Sequence, residues 1–236
     1  MDKEQLKNDL ITNFKNLGHP IAFSGITNIY NYYNGRLSIK EIKDTLAKIY
    51  SYTLHKETHK EQRNPSYTHF KRYQFQMDLL DVQALSPFNN GFRYLLTVID
   101  TFTRYAFVRP IKNKTALEVL NAFKNVLQEA GSNPYHLVLD GGMEFHNQHF
   151  LNYCQSLGIN VHVPDSSTHG AYIERFNRTI QDLIYKFLTE NETNKYIDML
   201  DSIVKSYNNR IHRMIKTTPH IAETDPNSHL KIRLIA

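Results

Sequence analysis

The chain has 236 residues, which exceeds one average domain and suits a core of about 150 residues with a smaller attachment. Hydrophobic residues make up 41%, as in globular proteins, yet no uninterrupted apolar run approaches the roughly 18 residues that would argue for a membrane span. The formal net charge of +5 permits a polyanionic partner without requiring one.

The cysteine content and the residues at the amino terminus indicate in which cellular compartment the protein is expected. The single cysteine, Cys154, excludes an internal disulfide and a Cys-based structural zinc site, and it fits a reducing compartment. Residues 1–5 are charged and lack the apolar core of a secretion signal. We therefore expect an intracellular protein that is not secreted.

Residues 1–55 predict a small all-helical N-terminal module, because their apolar residues recur at helical spacing in three short pieces. Leu6, Leu10 and Phe14 form the stripe of the first piece. Ser24 is a candidate cap for the second piece. Ser38 and Glu41 form a capping box that opens the third.

Residues 56–72 predict a basic linker. Pro65 interrupts regular structure in this segment. Its charged residues are mostly cationic, and they are Lys56, Glu57, Lys60, Glu61, Arg63, Lys71 and Arg72. Such a connector is either simply solvated or suited to run along phosphates. Both interpretations stay open.

Residues 73–222 predict an α/β core with a mixed five-stranded sheet flanked by helices. Three antiparallel strands come first, and then helix, strand, helix, strand and helix, which makes strands one and four neighbours. The predicted elements are strands at 73–80, 92–100, 104–111, 135–140 and 159–163, and helices at 115–130, 147–157 and 195–212. A further helix, which carries Glu174, is predicted between the fifth strand and the last helix. A tail follows at 223–236.

Two of the core helices carry specific expectations. Thr115 and Glu118 predict a capping box at the start of the first, and Gly131 predicts its end. Its predicted inward face is Ala116, Leu120, Phe123, Leu127 and Ala130. The last helix is expected to bury Ile197, Leu200, Ile203, Val204, Tyr207 and Ile211.

Three acids occupy positions from which they could meet. Asp78 lies inside the first strand, and Asp140 ends the fourth strand before two glycines that allow a backbone or phosphate to approach. Glu174 falls in the first turns of a helix entered from a polar loop. The three acids converge if the two strands are neighbours and the helix packs across them.

The motifs around these acids resemble the catalytic core of retroviral and retrotransposon integrases, the D,D,E transposases with a ribonuclease-H-like fold. The resemblance covers residues 70–220, and its motifs are Gln76-Met77-Asp78, the run at 139–145, Glu174-Arg175-Phe176-Asn177-Arg178-Thr179, and the flanking runs at 98–105 and 207–212. The segments 19–25 and 52–55 are similar, more loosely, to integrases of Polinton/Maverick elements and virophages.

The resemblance implies a DNA integrase, a polynucleotidyl transferase with nuclease activity that performs 3′-end processing and strand transfer of mobile-element or viral DNA. It implies double-stranded DNA partners, namely element ends and target, a homo-oligomer that is a dimer or tetramer, and no membrane. In a eukaryotic host it implies the nucleus. The implied cofactors are two Mg²⁺ or Mn²⁺ ions, with Asp78 bridging both, Asp140 holding one and Glu174 the other.

Paired cations would explain why such a site needs carboxylates. Two divalent ions roughly 3.5–4 Å apart can polarise a phosphate, position an oxygen nucleophile and stabilise the leaving oxygen. Mg²⁺ prefers oxygen ligands, few of them from protein. Without metal the clustered carboxylates repel one another, so metal binding and site assembly should be coupled.

Side chains around Glu174 are candidate DNA contacts: His169, Arg175, Asn177, Arg178 and Gln181. A second candidate phosphate surface is the stretch 202–222, which contains no acid. Part of that stretch could instead face a second copy of the protein.

Several alternatives remain open. Asp165 could replace Glu174, although it lacks the helix context, and Asp100 can be a turn-capping residue. The 33 residues between Asp140 and Glu174 are fewer than in the retroviral pattern, which leaves the loop's DNA contacts uncertain. His55 and His59 supply half of a zinc-site spacing without a cysteine pair, and we interpret them as ordinary histidines.

Alternatives also concern the whole protein. The N-terminal module either binds DNA ends or multimerises, as integrase amino-terminal domains often do, or it is a packing appendage. The chain is alternatively a catalytically silent DNA-binding or assembly protein derived from an integrase, or a ribonuclease-H-type nuclease that cuts without joining. Because no basic β-barrel or chromodomain follows the core, target tethering is expected to lie elsewhere in a longer protein or to be absent.

Overall fold

The computed structural model describes residues 2–54, 68–139, 145, 147–162 and 170–235. The predictions for Asp140, Asp165, His169, His55 and His59 lie outside these residues, as does most of the predicted linker. The strands are β1 (Gln74–Asp81), β2 (Tyr94–Asp100), β3 (Ala106–Ile111), β4 (His136–Leu139) and β5 (Asn160–His162). The helices are α1 (Lys3–Lys15), α2 (Ile26–Tyr32), α3 (Ile39–Leu46), α4 (Tyr50–Leu54), α5 (Ala116–Ala130), α6 (Gln148–Ser156), α7 (Ala171–Glu190), α8 (Leu200–Asn208), α9 (Pro219–Thr224) and α10 (Asn227–Ile235), with 3-10 helices at Gln83–Phe88 and Ile197–Met199.

The strands form one five-stranded sheet in the order β3-β2-β1-β4-β5. β1 and β2 pair antiparallel, as do β2 and β3, whereas β1 pairs parallel with β4 and β4 parallel with β5. The predicted mixed sheet, with its first and fourth strands adjacent, is therefore confirmed.

Alternate residues of β1 face opposite sides of this sheet, as the period of a strand requires. Phe75 and Met77 are fully buried in the hydrophobic cluster formed with α5 and α6. Leu80 packs on the other side, in the cluster that contains the apolar stripe of α7. Gln76 and Asp78, in phase with Leu80, therefore face α7.

The cluster on the α7 side also includes the N-terminal helices. Leu10 and Phe14 of α1 are fully buried in the same cluster as Ile180 and Leu183 of α7. Polar contacts reinforce the packing, because Ser51 Oγ donates to a carboxylate oxygen of Glu190 at 2.9 Å, and Lys15 forms an ion pair with the same carboxylate. The module thus shares one hydrophobic core with the α/β domain.

Helix starts in the module were predicted with mixed success. The capping box at Ser38 is confirmed: Glu41 N–H donates to Ser38 Oγ at 3.2 Å, and Ser38 N–H donates to a Glu41 carboxylate oxygen at 2.8 Å. The prediction for Ser24 is wrong, because Gly25 is the residue that caps α2 and no side chain bonds there. Ser24 is instead buried.

The expected capping box at Thr115 forms only in part. Glu118 N–H donates to Thr115 Oγ1, but the Glu118 carboxylate accepts from Lys112 and Asn113 in the preceding turn. The inward face of α5 is also wider than predicted, because the helix packs over both the sheet and α6. Its additional buried members are Val119, Ala122 and Val126.

The last predicted core helix is too long. A 3-10 turn precedes α8, which ends at Asn208, and Ile211 is 40% exposed instead of buried. The Asn208 amide holds this end of α8 against β3. Its Oδ1 accepts from Ala106 N–H at 3.0 Å, and its Nδ2 donates to Ala106 C=O at 2.9 Å, so this residue is committed to the backbone of β3. Beyond it the chain turns back through a bridge between His212 and Thr217.

The segment predicted as a tail includes α10, which packs Ile232 into a small cluster with Phe102, Ile215 and Ala222. None of the described helices combines the length and the apolar character needed to cross a bilayer.

A buried charge network connects the start of β1, the β2–β3 turn and the C-terminal segment. Asp100 is fully buried and accepts from Arg72 N–H at 2.9 Å, from Arg72 Nη1 at 3.1 Å, and from the backbone N–H groups of Phe102 and Thr103. Arg72 also forms an ion pair with Glu223. Asp100 is therefore satisfied within the fold and faces no site.

We expect Asp100→Ala to lower the free energy of unfolding by about 3–5 kcal/mol, because it leaves the Arg72 guanidinium buried with half of its counter-charge removed. Urea denaturation of both proteins measures the difference. Asp198→Ala is the matched control. Asp198 pairs with Lys195 at side-chain exposures of 63% and 49%, so its loss should cost less than about 1 kcal/mol. Equal costs for the two variants would contradict this account of the network.

Candidate active site

Asp78 is half-buried in the middle of β1 and is held at both carboxylate oxygens. Oδ1 accepts from the N–H of Leu79 at 2.7 Å, and Oδ2 accepts from Nδ2 of Asn177 on α7 at 2.7 Å. Thr97 Oγ1 on β2 donates to the backbone carbonyl of Asp78 at 3.1 Å. The carboxylate is thus fixed by contacts from its own strand and from the neighbouring helix.

Gln76, two residues earlier on the same face of β1, docks the start of α7. Its Oε1 accepts from the N–H groups of Tyr172 and Ile173, each at 3.0 Å. These are first-turn donors that have no partner inside the helix. Gly170 at the cap position supplies no side-chain acceptor, so a strand residue replaces the usual capping side chain.

Gly170 leaves space for this contact. A Cβ atom on residue 170 would lie 2.9 Å from Gln76 Oε1 and 2.9 Å from Ile173 Cγ2. A larger residue at position 170 would therefore displace the Gln76 side chain that accepts from the helix start. Glu174, whose N–H donates to Gly170 C=O at 3.0 Å, lies one turn into the helix and moves with it.

The two described acids of the predicted triad come together. Asp78 and Glu174 line one cavity of about 90 Å³ with Met77, Val138, Leu139, Gly170 and Ile173. Leu139, the last residue of β4, pairs with Met77. Asp140 follows Leu139 in the chain but lies outside the described residues, so the third member of the triad stays a prediction.

The donor set suits a hard divalent cation, because carboxylate oxygens are the ligands that Mg²⁺ and Mn²⁺ prefer. Within the described residues no cluster of three His, Cys, Asp or Glu side chains forms. The described part of the chain thus contributes two carboxylates to this cavity, Asp78 and Glu174.

The predicted DNA contacts on α7 differ in accessibility. Arg175 and Arg178 are exposed, and Gln181 is half-buried. Asn177 is only 8% exposed, and its described contact is with Asp78. Gln76 belongs to the motif Gln76-Met77-Asp78, but no function was predicted for its side chain. Its position two residues before Asp78 on the same strand face was the signal that could have marked it.

The comparisons with known proteins agree with this geometry. The family model described as "Integrase core domain" matches residues 71–167. Residues 71–167 of this chain are therefore similar to the integrase core domain. The retroviral and transposon type of the resemblance is confirmed, and the narrower similarity to Polinton/Maverick and virophage integrases stays a prediction.

Relatives of the integrase core domain occur in transposons and retroviruses. A transposon-derived protein of Caenorhabditis elegans is 34% identical over 131 residues, which cover 56% of this chain and 46% of the relative. The Gag-Pro-Pol polyprotein of Human T-cell leukemia virus 2 is 31% identical over 102 residues, 42% of this chain and 7% of the polyprotein. The chain thus spans at most about half the length of these two relatives.

Solved structures share the fold. The integrase catalytic core domain of HTLV-2 in complex with magnesium, in its trimeric form, superposes with a TM-score of 0.54 at 20% identity and covers 65% of this chain and 97% of that chain. An intasome of simian T-cell lymphotropic virus gives a TM-score of 0.62 at 18% identity, covering 88% of this chain and 73% of that chain. The ribonuclease-H-like fold of the integrase core is therefore confirmed.

We expect Gln76→Met to lower the free energy of unfolding by about 1–3 kcal/mol, because it removes the acceptor of two N–H groups at the buried start of α7. Thermal or urea denaturation measures the loss. Gln83→Met is the control, since Gln83 is exposed and bonds only its neighbour Asp81 through the side chain. A Gln76→Met protein as stable as the Gln83→Met protein would show that this contact does not hold the helix.

Proposed function

We propose that the protein is a DNA integrase that performs 3′-end processing and strand transfer of mobile-element or viral DNA. The observation that carries the proposal is the cavity shared by Asp78 and Glu174. Asp78 lies in the segment 71–167 that matches the integrase core domain model, and Glu174 follows that segment on α7. The relatives named above are transposon and retroviral proteins, which supports an element-mobilising substrate.

Each acid has a proposed role. Asp78, Asp140 and Glu174 would together hold two divalent cations. When bound, the cations polarise the scissile phosphate and stabilise the departing oxygen. The HTLV-2 core domain solved with magnesium supports the choice of ion. Asn177 keeps the Asp78 carboxylate in one orientation through its 2.7 Å hydrogen bond.

The proposed reaction has two transfers at phosphorus. In the first, water attacks a phosphodiester near the element's 3′ end, and the bond to the departing 3′ oxygen breaks and leaves a free 3′ hydroxyl. In the second, that hydroxyl attacks a target phosphodiester and displaces a target 3′ oxygen, which takes up a proton. No covalent intermediate with the protein is formed.

DNA would approach along the exposed side of α7. Arg178 is exposed one turn beyond Glu174, and Arg175 is exposed beside it, so both guanidinium groups can reach phosphates. His169 and Gln181 remain proposed contacts. We propose double-stranded element ends and target DNA as partners, and a homo-oligomer as the active form. Target DNA would place the protein in the nucleus of a eukaryotic host.

Conservative changes of the two acids test the proposal. We expect Asp78→Asn and Glu174→Gln each to reduce strand transfer by at least about 10²-fold, because each removes a charge that the transition state needs. The assay joins a labelled duplex end to plasmid DNA in Mg²⁺. Asp81→Asn, an exposed acid three residues from Asp78, should retain activity. Unchanged joining by Glu174→Gln would eliminate the assignment.

Strand transfer, measured together with cleavage of RNA–DNA hybrids and with DNA binding, separates the integrase from the two alternative functions. Cleavage of RNA–DNA hybrids without joining of DNA ends would identify a ribonuclease-H-type nuclease. DNA binding by the wild-type protein with neither cleavage nor joining would identify a silent assembly protein.

The Asn177 contact makes a separate prediction about metal affinity. We expect Asn177→Ala to raise the Mg²⁺ concentration for half-maximal activity by about tenfold or more, because Asp78 loses the partner that orients it. A titration of strand transfer against Mg²⁺ measures the shift. Asn31→Ala, on the exposed side of α2, is the control. A lower maximal rate at an unchanged Mg²⁺ midpoint would contradict the orienting role.

A further inference from the structure

A second cavity, of about 400 Å³, lies on another side of α7 and carries a concentration of basic groups. We name it the arginine pocket, after the basic side chains that line it: Arg104, Arg175, Arg210, His212 and Arg213. None of the described residues that line it is an Asp or Glu. The lining therefore carries positive charge and no acid of its own, and Asp182, which lies outside the lining, raises the pKa of Arg210 against the larger effect of burial.

The arginine pocket is distinct from the Asp78 and Glu174 cavity. At about 100° per residue, Arg175 and Thr179 lie roughly 100–140° around α7 from Glu174. The opposite wall comes from residues 207–214 and from Gly25 and Asn28 of the N-terminal module. The pocket thus lies where the module, α7 and the segment after α8 meet.

Two of the arginines are buried, and each retains an unused donor. Arg104 is 6% exposed and Arg210 is 9% exposed, and within the described structure the Nε–H of each has no hydrogen-bond partner. A buried N–H without an acceptor is unfavourable. Both side chains are nonetheless held in place. Arg210 donates to Ser206 Oγ at 3.1 Å, and Arg104 stacks at 3.7 Å on the Tyr172 ring.

His212 adds another donor. Its Nδ1 accepts from the N–H of Met214 at 3.3 Å, which assigns the ring proton to Nε2. Burial, followed by the charges of Arg104 and Arg175, lowers the pKa of His212 to about 3, so the ring is neutral. Burial also lowers the pKa of Arg210 to about 9, and an anion beside it would favour its charged form.

We propose that the arginine pocket binds a phosphate group carried by a nucleotide-sized molecule. Guanidinium forks match phosphate oxygens in bidentate geometry, and several of them converge here. The volume falls in the range of small-molecule sites, and the apolar wall that includes Ile99, Phe176 and Tyr207 suits a sugar or base.

The source of the phosphate is either a free nucleotide or the 5′-phosphate of a single strand. A rigid duplex does not bring its phosphates to side chains that are buried to this degree. A ligand here would contact the module and α7 together, and so would stabilise their packing. The inference goes beyond the proposed integrase activity, because it requires neither Glu174 nor a cation.

Calorimetric titration of the full chain with inorganic pyrophosphate and with ATP tests the proposal. The buffer contains EDTA, so that divalent ions cannot hold phosphate at Asp78 and Glu174. We expect both ligands to bind, and we expect Arg213→Met and Arg175→Met each to weaken binding by about tenfold, since each removes a charge-assisted hydrogen bond. Both residues are exposed, so neither variant should fail to fold.

Matched controls make the result decisive. Arg93→Met removes an exposed arginine outside the pocket and should bind like wild type. Asp78→Asn should also bind like wild type even though it abolishes the proposed catalysis. A 5′-phosphorylated single strand that displaces ATP, when its unphosphorylated form does not, would assign the phosphate to a DNA end. Failure to displace would assign it to a free nucleotide. No binding at millimolar ligand, or equal weakening by Arg93→Met, would overturn the proposal.

Discussion

The hydrogen bonds from the N–H groups of Tyr172 and Ile173 to Gln76 Oε1 set the position of the functional helix. They join the start of α7 to the strand face that carries Asp78, and Gly170, which has no side chain, leaves room for the Gln76 side chain against the helix start. Because Glu174 lies one helical turn further on, its carboxylate is brought to the Asp78 side of the sheet. The acidic cavity is thus a consequence of strand-to-helix capping, and Asn177 strengthens it from the next turn.

α7 serves the rest of the molecule as well. The apolar stripe of α7 packs against one face of the sheet and against the inner face of the N-terminal helices. All three belong to one hydrophobic cluster. One flank carries Glu174, and another carries the arginine pocket, which the module helps to build. Because its inner face is buried in this cluster, the module is a structural part of the domain, and its contribution to the pocket means that a ligand there would contact it.

Much of the fold was predictable because it depends on local signals. The apolar runs of β1 and β2, the caps at Ser38 and Thr115 and the stripe of α7 are indicated by local sequence patterns and turn chemistry. The failures came from tertiary contacts. The Asn208 side chain joins the end of α8 to the backbone of β3, and no spacing in the sequence reveals this contact. The proximity of Asp78 and Glu174 also depends on tertiary contacts, and it was predictable only through the family resemblance. The capping role of Gln76 and the buried donors of Arg104 and Arg210 could be found only in the coordinates.

The central claim is that the carboxylates of Asp78 and Glu174 jointly bind divalent cations. Anomalous diffraction from crystals of the full chain soaked in Mn²⁺ tests it most directly. The account predicts anomalous peaks in the cavity between β1 and α7, with carboxylate oxygens of Asp78 and Glu174 as direct ligands. Ordered Mn²⁺ that binds only elsewhere, with these two carboxylates turned away from each other, would contradict it.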